Sequence, residues 1–308
     1  AAGTGYNLLH QHVHGKGVFH NTQFVKGGTG ELAQVLASVA ESNNVEIRTG
    51  SKVKSIDVEN GRCSGISLTG GELIQADQVV SGLDPKNTFM NLVGTSNLNP
   101  NFHTQLNNIR YRGSTARVHF ALNKLPEING ILKDQMKTVF SIGPSIEYQE
   151  RASDAVKYGT IANNPTVEFT IPSLINHDFA PDGKHVLSAT VQYAPYHLRD
   201  QVWSSKLNEQ IKNNVVRVLD NYIPDFSSLI EATSVLSPKD LEDEFGLTEG
   251  NLNHGEMTLD QFFFMRPTMS TAQYKSPIEN LYLCGPGTHP GGGLHGTNGF
   301  NAAREILK

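Results

Sequence analysis

A chain of 308 residues, 38% hydrophobic and 18% charged, is long enough for two domains or one large α/β domain and has the composition of an ordinary globular protein. A formal net charge of -5 and a pI near 6.2 exclude an electrostatic case for nucleic acid or an anionic membrane surface. No apolar run is long enough to cross a bilayer, and Cys63 and Cys284 form no C-x-x-C pair, so a reducing, cytoplasmic setting is the expectation. Composition leaves open peripheral membrane contact through a lipid-facing loop.

The first 26 residues include LLHQHVHGKGVFH, with His10, His12 and His14 alternating and His20 beyond. On a strand, a period of two would put three imidazoles on one face. Three ligands from one short strand converge poorly on an ion, so a polar strand face is favoured over a metal site, and no metal is expected. Val25 to Gly30 then form a glycine turn. Leu32, Val35, Leu36 and Val39 recur at helical spacing, which predicts a helix from about Thr29 to Ser42, ended by Asn43-Asn44. Val45 to Ile47 reads as a short strand and Ser51 to Val58 as a second. Asn60-Gly61 is the strongest hairpin signal in the chain. Ser64 to Leu68 returns, Gly70-Gly71 turns again, and Ala76 to Ser81 reads as a buried apolar strand. Leu83-Asp84-Pro85 breaks the pattern and marks a candidate domain boundary.

Residues 86–270 have another texture. Asn87 to Leu92 starts a helix and leads into polar connections. Ser114 to Leu122 alternates as a strand with Ala116, Val118 and Phe120 on one face; Val139 to Ile142, Thr166 to Ile171 and His185 to Tyr193 are further strands. These read as antiparallel and half-solvated. Ser204 to Tyr222 is an amphipathic helix with Leu207, Ile211, Val215, Val218 and Leu219 on one side, stopped by Pro224. Ser237-Pro238 opens a short helix as N-cap and first helical residue. Glu147, Glu150 and Arg151 read as a solvated loop. The triplet Phe262-Phe263-Phe264 must split between core and another face, and that face is a candidate lining for a substrate channel.

The tail Asn280 to Lys308 reads NLYLCGPGTHPGGGLHGTNGFNAAREILK. A short strand at Leu281 to Cys284 runs into a glycine-rich loop, and the loop into a helix from about Thr297. That order receives anionic groups, because bare backbone approaches closely and the first helical N–H groups are unpaired. Gly291 to Gly296 matches G-x-G-x-x-G spacing. Six residues separate it from the strand, and neither a second strand nor a ribose-binding acid follows, so it is one wall of a site and no complete dinucleotide fold.

The tail resembles the C-terminal flavin motif of carotenoid (phytoene) desaturase-like FAD-dependent oxidoreductases. The residues that carry the likeness are Leu281 to Gly285, Gly287 to Gly293, Gly296, Gly299 and Asn301 to Arg304. The likeness is closer to the bacterial and mitochondrial group called pyridine nucleotide-disulfide oxidoreductase domain-containing protein two. Gly27 to Leu32 with Val45 to Gly50, and Gly255 to Pro267, support it. The resemblance implies an α/β (mixed α+β) fold: a discontinuous, partial Rossmann-like FAD domain with an inserted mixed-sheet and helix substrate domain. By position the FAD domain would comprise residues 27–85 and 273–308, and the substrate or cap domain residues 1–26 and 86–272. The small substrate would be apolar, isoprenoid or lipid-like, oxidised by hydride transfer to flavin, and a homodimer is compatible with the family. In a eukaryote the location would be mitochondrial.

By the same resemblance, Val53 would meet the adenine side and Ser81-Gly82 would pass the nucleotide. Gly285, Pro286, Gly287 and Thr288 would follow the ribityl-pyrophosphate. Gly292, Gly293, Leu294, Gly296, Asn298 and Gly299 would approach the ring. Substrate-side candidates are Phe264, Arg266, His289 and His295, with Arg266 free to orient an oxygen or to pair with Asp260. Relatives open with a strand and a diphosphate-binding glycine loop that has no counterpart before Gly27. The sequence therefore reads as the C-terminal portion of a longer flavoprotein, expected to hold FAD weakly or not at all and to be inactive alone. The alternative is a non-catalytic binding or assembly module that keeps the fold without the cofactor.

Overall fold

The computed structural model describes residues 5–6 and 24–308. The alternating histidines His10, His12, His14 and His20 lie outside the described residues. In chain order the strands are β1 (Val53–Glu59), β2 (Arg62–Leu68), β3 (Leu73–Gln75), β4 (Val79–Ser81), β5 (Thr115–Leu122), β6 (Phe140–Ile142), β7 (Thr166–Thr170), β8 (His185–Gln192), β9 (Ile230–Leu236) and β10 (Leu281–Leu283). The fold is the mixed α/β architecture expected, in two compact units.

One unit combines Arg48–Arg112 with Gly246–Lys308. It holds an antiparallel β1-β2-β3 sheet and a parallel β4–β10 pair. Asn60 (φ 51°) and Gly61 (φ 80°) make the two-residue turn between β1 and β2, the left-handed pair that a tight hairpin demands. Ile56, Cys63, Phe89, Phe102, Leu106, Ile278, Leu281 and Leu283 form its core, with Phe89 and Phe102 edge to face at 4.9 Å.

The other unit contains residues 24–47 and Gly113–Phe245. Its sheet has the order β6-β7-β8-β5-β9, antiparallel throughout. Period-two alternation puts Ala116, Val118, Phe120 and Leu122 on one face, fully buried. Against that face lies the helix Ser205–Asp220, whose Leu207, Ile211, Val215, Val218 and Leu219 are all buried, as the 3.6 period requires. Ser237 and Asp240 cap the helix Pro238–Phe245 reciprocally: Ser237 N and Oγ donate to Asp240 Oδ2 at 2.8 and 2.6 Å, and Asp240 N donates back at 3.2 Å.

The units divide the chain differently from the sequence reading. Residues 86–112 and 246–272 belong with the 48–85 segment, because Asp84 is a knot and no boundary. Its buried carboxylate accepts from Asn87 N (2.9 Å), Asn87 Nδ2 (2.7 Å) and Thr248 Oγ1 (2.8 Å). Farther along, Arg110 pairs with Asp260 at 2.7 Å. Residues 27–47 belong with the large sheet instead: Gly27 N donates to Asn176 Oδ1 at 2.7 Å, and Gly28 sits on the Phe179 ring, where a Cβ would come within 2.6 Å.

Other local expectations are corrected. The helix Thr29–Ser42 has the expected bounds but buries no residue; Val35, Leu36 and Val39 are 51%, 61% and 55% exposed. Val45 to Ile47 has no ladder partner among the described residues, so it is not a strand. The strand ending at Ser81 is short, and only Ser81 of it is buried. Glu147, Glu150 and Arg151 lie on a helix, Ile146–Tyr158, capped by Ser145 Oγ accepting from Tyr148 N at 3.1 Å and closed by left-handed Gly159. With only Ala152 buried, its apolar periodicity is too faint to announce it. The helix Pro100–Asn107 stands where polar connections were expected, and strand β9 where the sequence reading placed no element.

Candidate functional site

The parallel pair fixes the geometry. Leu281, Tyr282 and Leu283 lie in register with Val79, Val80 and Ser81, so both strands end side by side. Cys284 N donates to Ser81 O at 2.9 Å. Gly82 and Gly285 thus leave one edge at the carboxyl ends of parallel strands, where open α/β sheets receive ligands. A Cβ on Gly285 would fall 2.3 Å from Gly82 O, so only glycine lets the two backbones meet. The loop then braces itself. Thr288 Oγ1 donates to Gly285 O at 2.8 Å, and Asn298 Nδ2 donates to Gly285 O (3.2 Å), Thr288 O (3.0 Å) and Thr288 Oγ1 (3.1 Å). The side chains of Thr288 and Asn298 are buried and committed to the protein, leaving main chain as what this stretch offers outward.

Arg266 holds the loop from behind. Only 2% exposed, it directs every guanidinium donor to a backbone carbonyl: Nε to Pro286 (3.0 Å), Nη1 to Glu256 and Gln261 (3.2 Å each), Nη2 to Gly255 (3.2 Å) and Asn253. Burial pushes its pKa down to about 10. It neither pairs with Asp260, which bonds Arg110, nor presents a donor outward; it is a staple between the 253–261 and 285–286 loops.

The helix Thr297–Ile306 opens from left-handed Gly296. His295 Nδ1 accepts from Thr297 N at 3.1 Å, so His295 serves as a helix cap. The amides of Asn298 and Gly299 make no hydrogen bond among the described residues, and a Cβ on Gly299 would meet nothing within 4 Å. Gly293 and Leu294 are exposed before this helix start; Gly292 is packed, a Cβ there falling 2.3 Å from Asn253 Oδ1.

Val53, Ser81 and Gly82 line one cavity of about 820 Å³, bounded also by Ile56, Val79 and Leu92. Ser81 Oγ is bonded to Thr88 Oγ1 at 2.7 Å. Phe264 and His289 border a separate hollow of about 440 Å³ with Phe263 and Tyr274. Phe262 is buried while Phe263 and Phe264 are exposed, which is the split expected of the triplet. The edge of Phe263 meets the His289 ring at 5.0 Å, and Tyr274 Oη donates to His289 O at 2.8 Å. The sequence reading missed His254. Its Nδ1 is buried without a hydrogen-bond partner among the described residues, 3.3 Å from where a Gly285 Cβ would stand; burial holds its pKa down, with Asp84 opposing. A lone histidine in a loop carries no spacing signal. Both cysteines are free thiols, raised in pKa by burial, and no group of three metal-binding side chains occurs among the described residues.

A family model described as flavin containing amine oxidoreductase matches residues 8–307. The chain belongs to that family. Among curated relatives of this flavin-containing family, it is 33% identical over 318 residues to rat pyridine nucleotide-disulfide oxidoreductase domain-containing protein 2, covering 99% of this chain and 55% of the relative. It is 27% identical to a lycopene-forming phytoene desaturase of a Paracoccus strain, covering 96% and 56%. The chain thus spans about half the length of the curated relatives it matches. In fold it is similar to an oxidoreductase from Methanosarcina mazei, with a TM-score of 0.58, 16% identity, and coverage of 92% of this chain and 55% of that one. No helix among the described residues is long and apolar enough to cross a membrane.

The residues present suit a flavin nucleotide. A cavity of this volume accommodates a nucleoside-sized group, and the unpaired amides at Asn298 and Gly299 offer donors where no side chain obstructs approach.

Proposed function

We propose that the protein is an FAD-dependent oxidoreductase of desaturase or dehydrogenase type, acting on a lipid-like, largely apolar substrate. The observation that carries the proposal is the parallel β4–β10 pair. It delivers Gly82, the Gly285 loop and an open helix start to one edge, in a chain of a flavin-containing family that is also similar to a phytoene desaturase.

On this reading Val53, Ser81 and Gly82 border the adenosine half. The main chain of Gly285 to Thr288 follows the ribityl and phosphate groups. Gly292, Gly293, Leu294, Gly296, Asn298 and Gly299 flank the ring end. When bound, the flavin supplies the hydride acceptor. The protein's share is to position and to desolvate. Arg266 holds the loop, Asn298 ties it to the helix, and the amides of Asn298 and Gly299 stabilise negative charge near the helix start. His295 caps that start, and Phe263 and Phe264 form an apolar wall on the substrate side, with the polar His289 ring packed against Phe263.

The test is a flavin-binding titration of the full-length wild type against its Gly299→Val variant, followed by visible absorbance and fluorescence quenching. Loss of binding in the variant with retained helix content supports the reading. Equal binding by both removes the helix start from the site.

A further inference from the structure

The five-stranded sheet has a second face, opposite its core. Alternation on β5 puts Arg117 and His119 there, between the buried Ala116, Val118 and Phe120. Register then fixes their neighbours. Arg117 stands opposite Thr190 of β8, and Thr190 is in turn opposite Glu168 of β7. His119 stands between Ser188 of β8 and Ser234 of β9. An interior strand of a sheet thus carries two cation-capable side chains, two positions apart on the same face, with Thr190, Ser188 and Ser234 as hydroxyl neighbours and Leu236 opposite Arg117 on the β9 side.

The positive charge has no ion-pair partner among the described residues, although the Glu168 carboxylate acts on it at longer range and opposes the effect of burial. Arg117 Nη1 donates to Thr190 Oγ1, and its remaining N–H groups have no partner among the described residues. No carboxylate among them comes within ion-pair distance of it, although Glu168 lies one strand beyond. His119 makes no hydrogen bond to a described residue. Both groups are half-buried, and burial lowers the pKa of each, with Arg117 lowering that of His119 further. A planar guanidinium with open donors matches a carboxylate, which it binds through two parallel bonds. One arginine and one neutral imidazole suit a monoanion better than a doubly charged phosphate.

We propose that this face is a binding site for the carboxylate of an amphipathic, lipid-like acid, with Arg117 as the ionic anchor and His119, Ser188 and Ser234 as neutral hydrogen-bonding partners. The inference concerns binding at this face alone and takes from the reading above only the lipid-like chain of the ligand. Binding itself needs no flavin, so the two fail separately.

The experiment is a fluorescence titration of the chain with a long-chain polyene carboxylic acid and with its methyl ester, without flavin. The acid is expected to bind at least about tenfold more tightly than the ester, the scale of one charge-assisted pair. Arg117→Gln should bring acid and ester within about twofold of each other, and Arg117→Lys should retain part of the preference. Glu168→Gln, at an exposed position that folding tolerates, should tighten the acid a few-fold and leave the ester unchanged. No binding of the acid, equal binding of acid and ester by the wild type, or an unchanged ratio in Arg117→Gln overturns the proposal. Should Arg117→Gln not fold, an acid affinity unmoved by Glu168→Gln overturns it on its own. Tighter binding of the matching alkyl phosphate than of the acid overturns the carboxylate assignment.

Discussion

Replacing Arg266 with methionine, a side chain of similar length, removes every donor that holds the 253–261 and 285–286 loops together. Five backbone carbonyls lose their partner in a site that is 2% exposed. At about 1.5 kcal/mol for each of the five bonds to a charged group, the gross loss is about 7.5 kcal/mol. Against it stands relief of a buried cation. The fall of its pKa to about 10 from the ordinary arginine range corresponds to roughly 3 kcal/mol of desolvation. The net destabilisation expected is about 4.5 kcal/mol, in the range reserved for broken buried polar networks. Arg266→Lys keeps the charge but has three donors, so it should cost about 3 kcal/mol. Urea unfolding measured by circular dichroism, with the slope unchanged between variants, reads both values. A methionine variant within about 1 kcal/mol of wild type would refute the staple and return Arg266 to the role of a ligand-facing group.

Gly285→Ala should destabilise by more than 2 kcal/mol, roughly the cost of overpacking, because its Cβ meets the Gly82 carbonyl; Gly299→Ala, with open space and a helical position, should stabilise by up to about 1 kcal/mol. Thermal melts of the pair check the contrast. Burial works to raise the Asp240 pKa, but bonds from Ser237 and Asn208 outweigh it and hold the pKa below 3.8. Its stabilisation is therefore present above pH 3.8 and lost as pH falls through the lower folded value. Ser237→Ala should cost about 1 kcal/mol at neutral pH, a difference that closes in acid; an equal deficit at all pH values contradicts the cap. Replacing Val35, Leu36 and Val39 together with polar residues should shift the stability of this chain by no more than about 0.5 kcal/mol, since that helix face is exposed. A large loss in chemical denaturation would mean that the face is buried.

What can be read from the sequence follows the strength of periodicity. The helix Ser205–Asp220 and strand β5 are legible because each alternates cleanly against one core. The hairpin at Asn60-Gly61 is legible because its conformation needs those residues. The helix Ile146–Tyr158 is not, having one buried residue in 13. Val45 to Ile47 shows the converse: an apolar, β-branched segment has the propensity of a strand but forms none without a neighbour. In the site, the glycine loop and helix start are visible as composition. The roles of Arg266, His295, Thr288 and Asn298 are not, because each is decided by carbonyl and amide partners that spacing does not encode. The unit boundaries fail for a similar reason: a Leu-Asp-Pro break looks like a linker until the carboxylate is seen holding Thr248. On the second sheet face, Arg117 and His119 stand in plain alternation, masked by the stronger apolar signal of the same strand's other face.

The most direct test of the central claim is the visible spectrum of the full-length native protein purified in the dark, before and after anaerobic addition of a lipid-like, largely apolar substrate. The account predicts bound flavin, with its absorbance bleached as the substrate is oxidised. A colourless protein that gains no flavin absorbance on added FAD would contradict it.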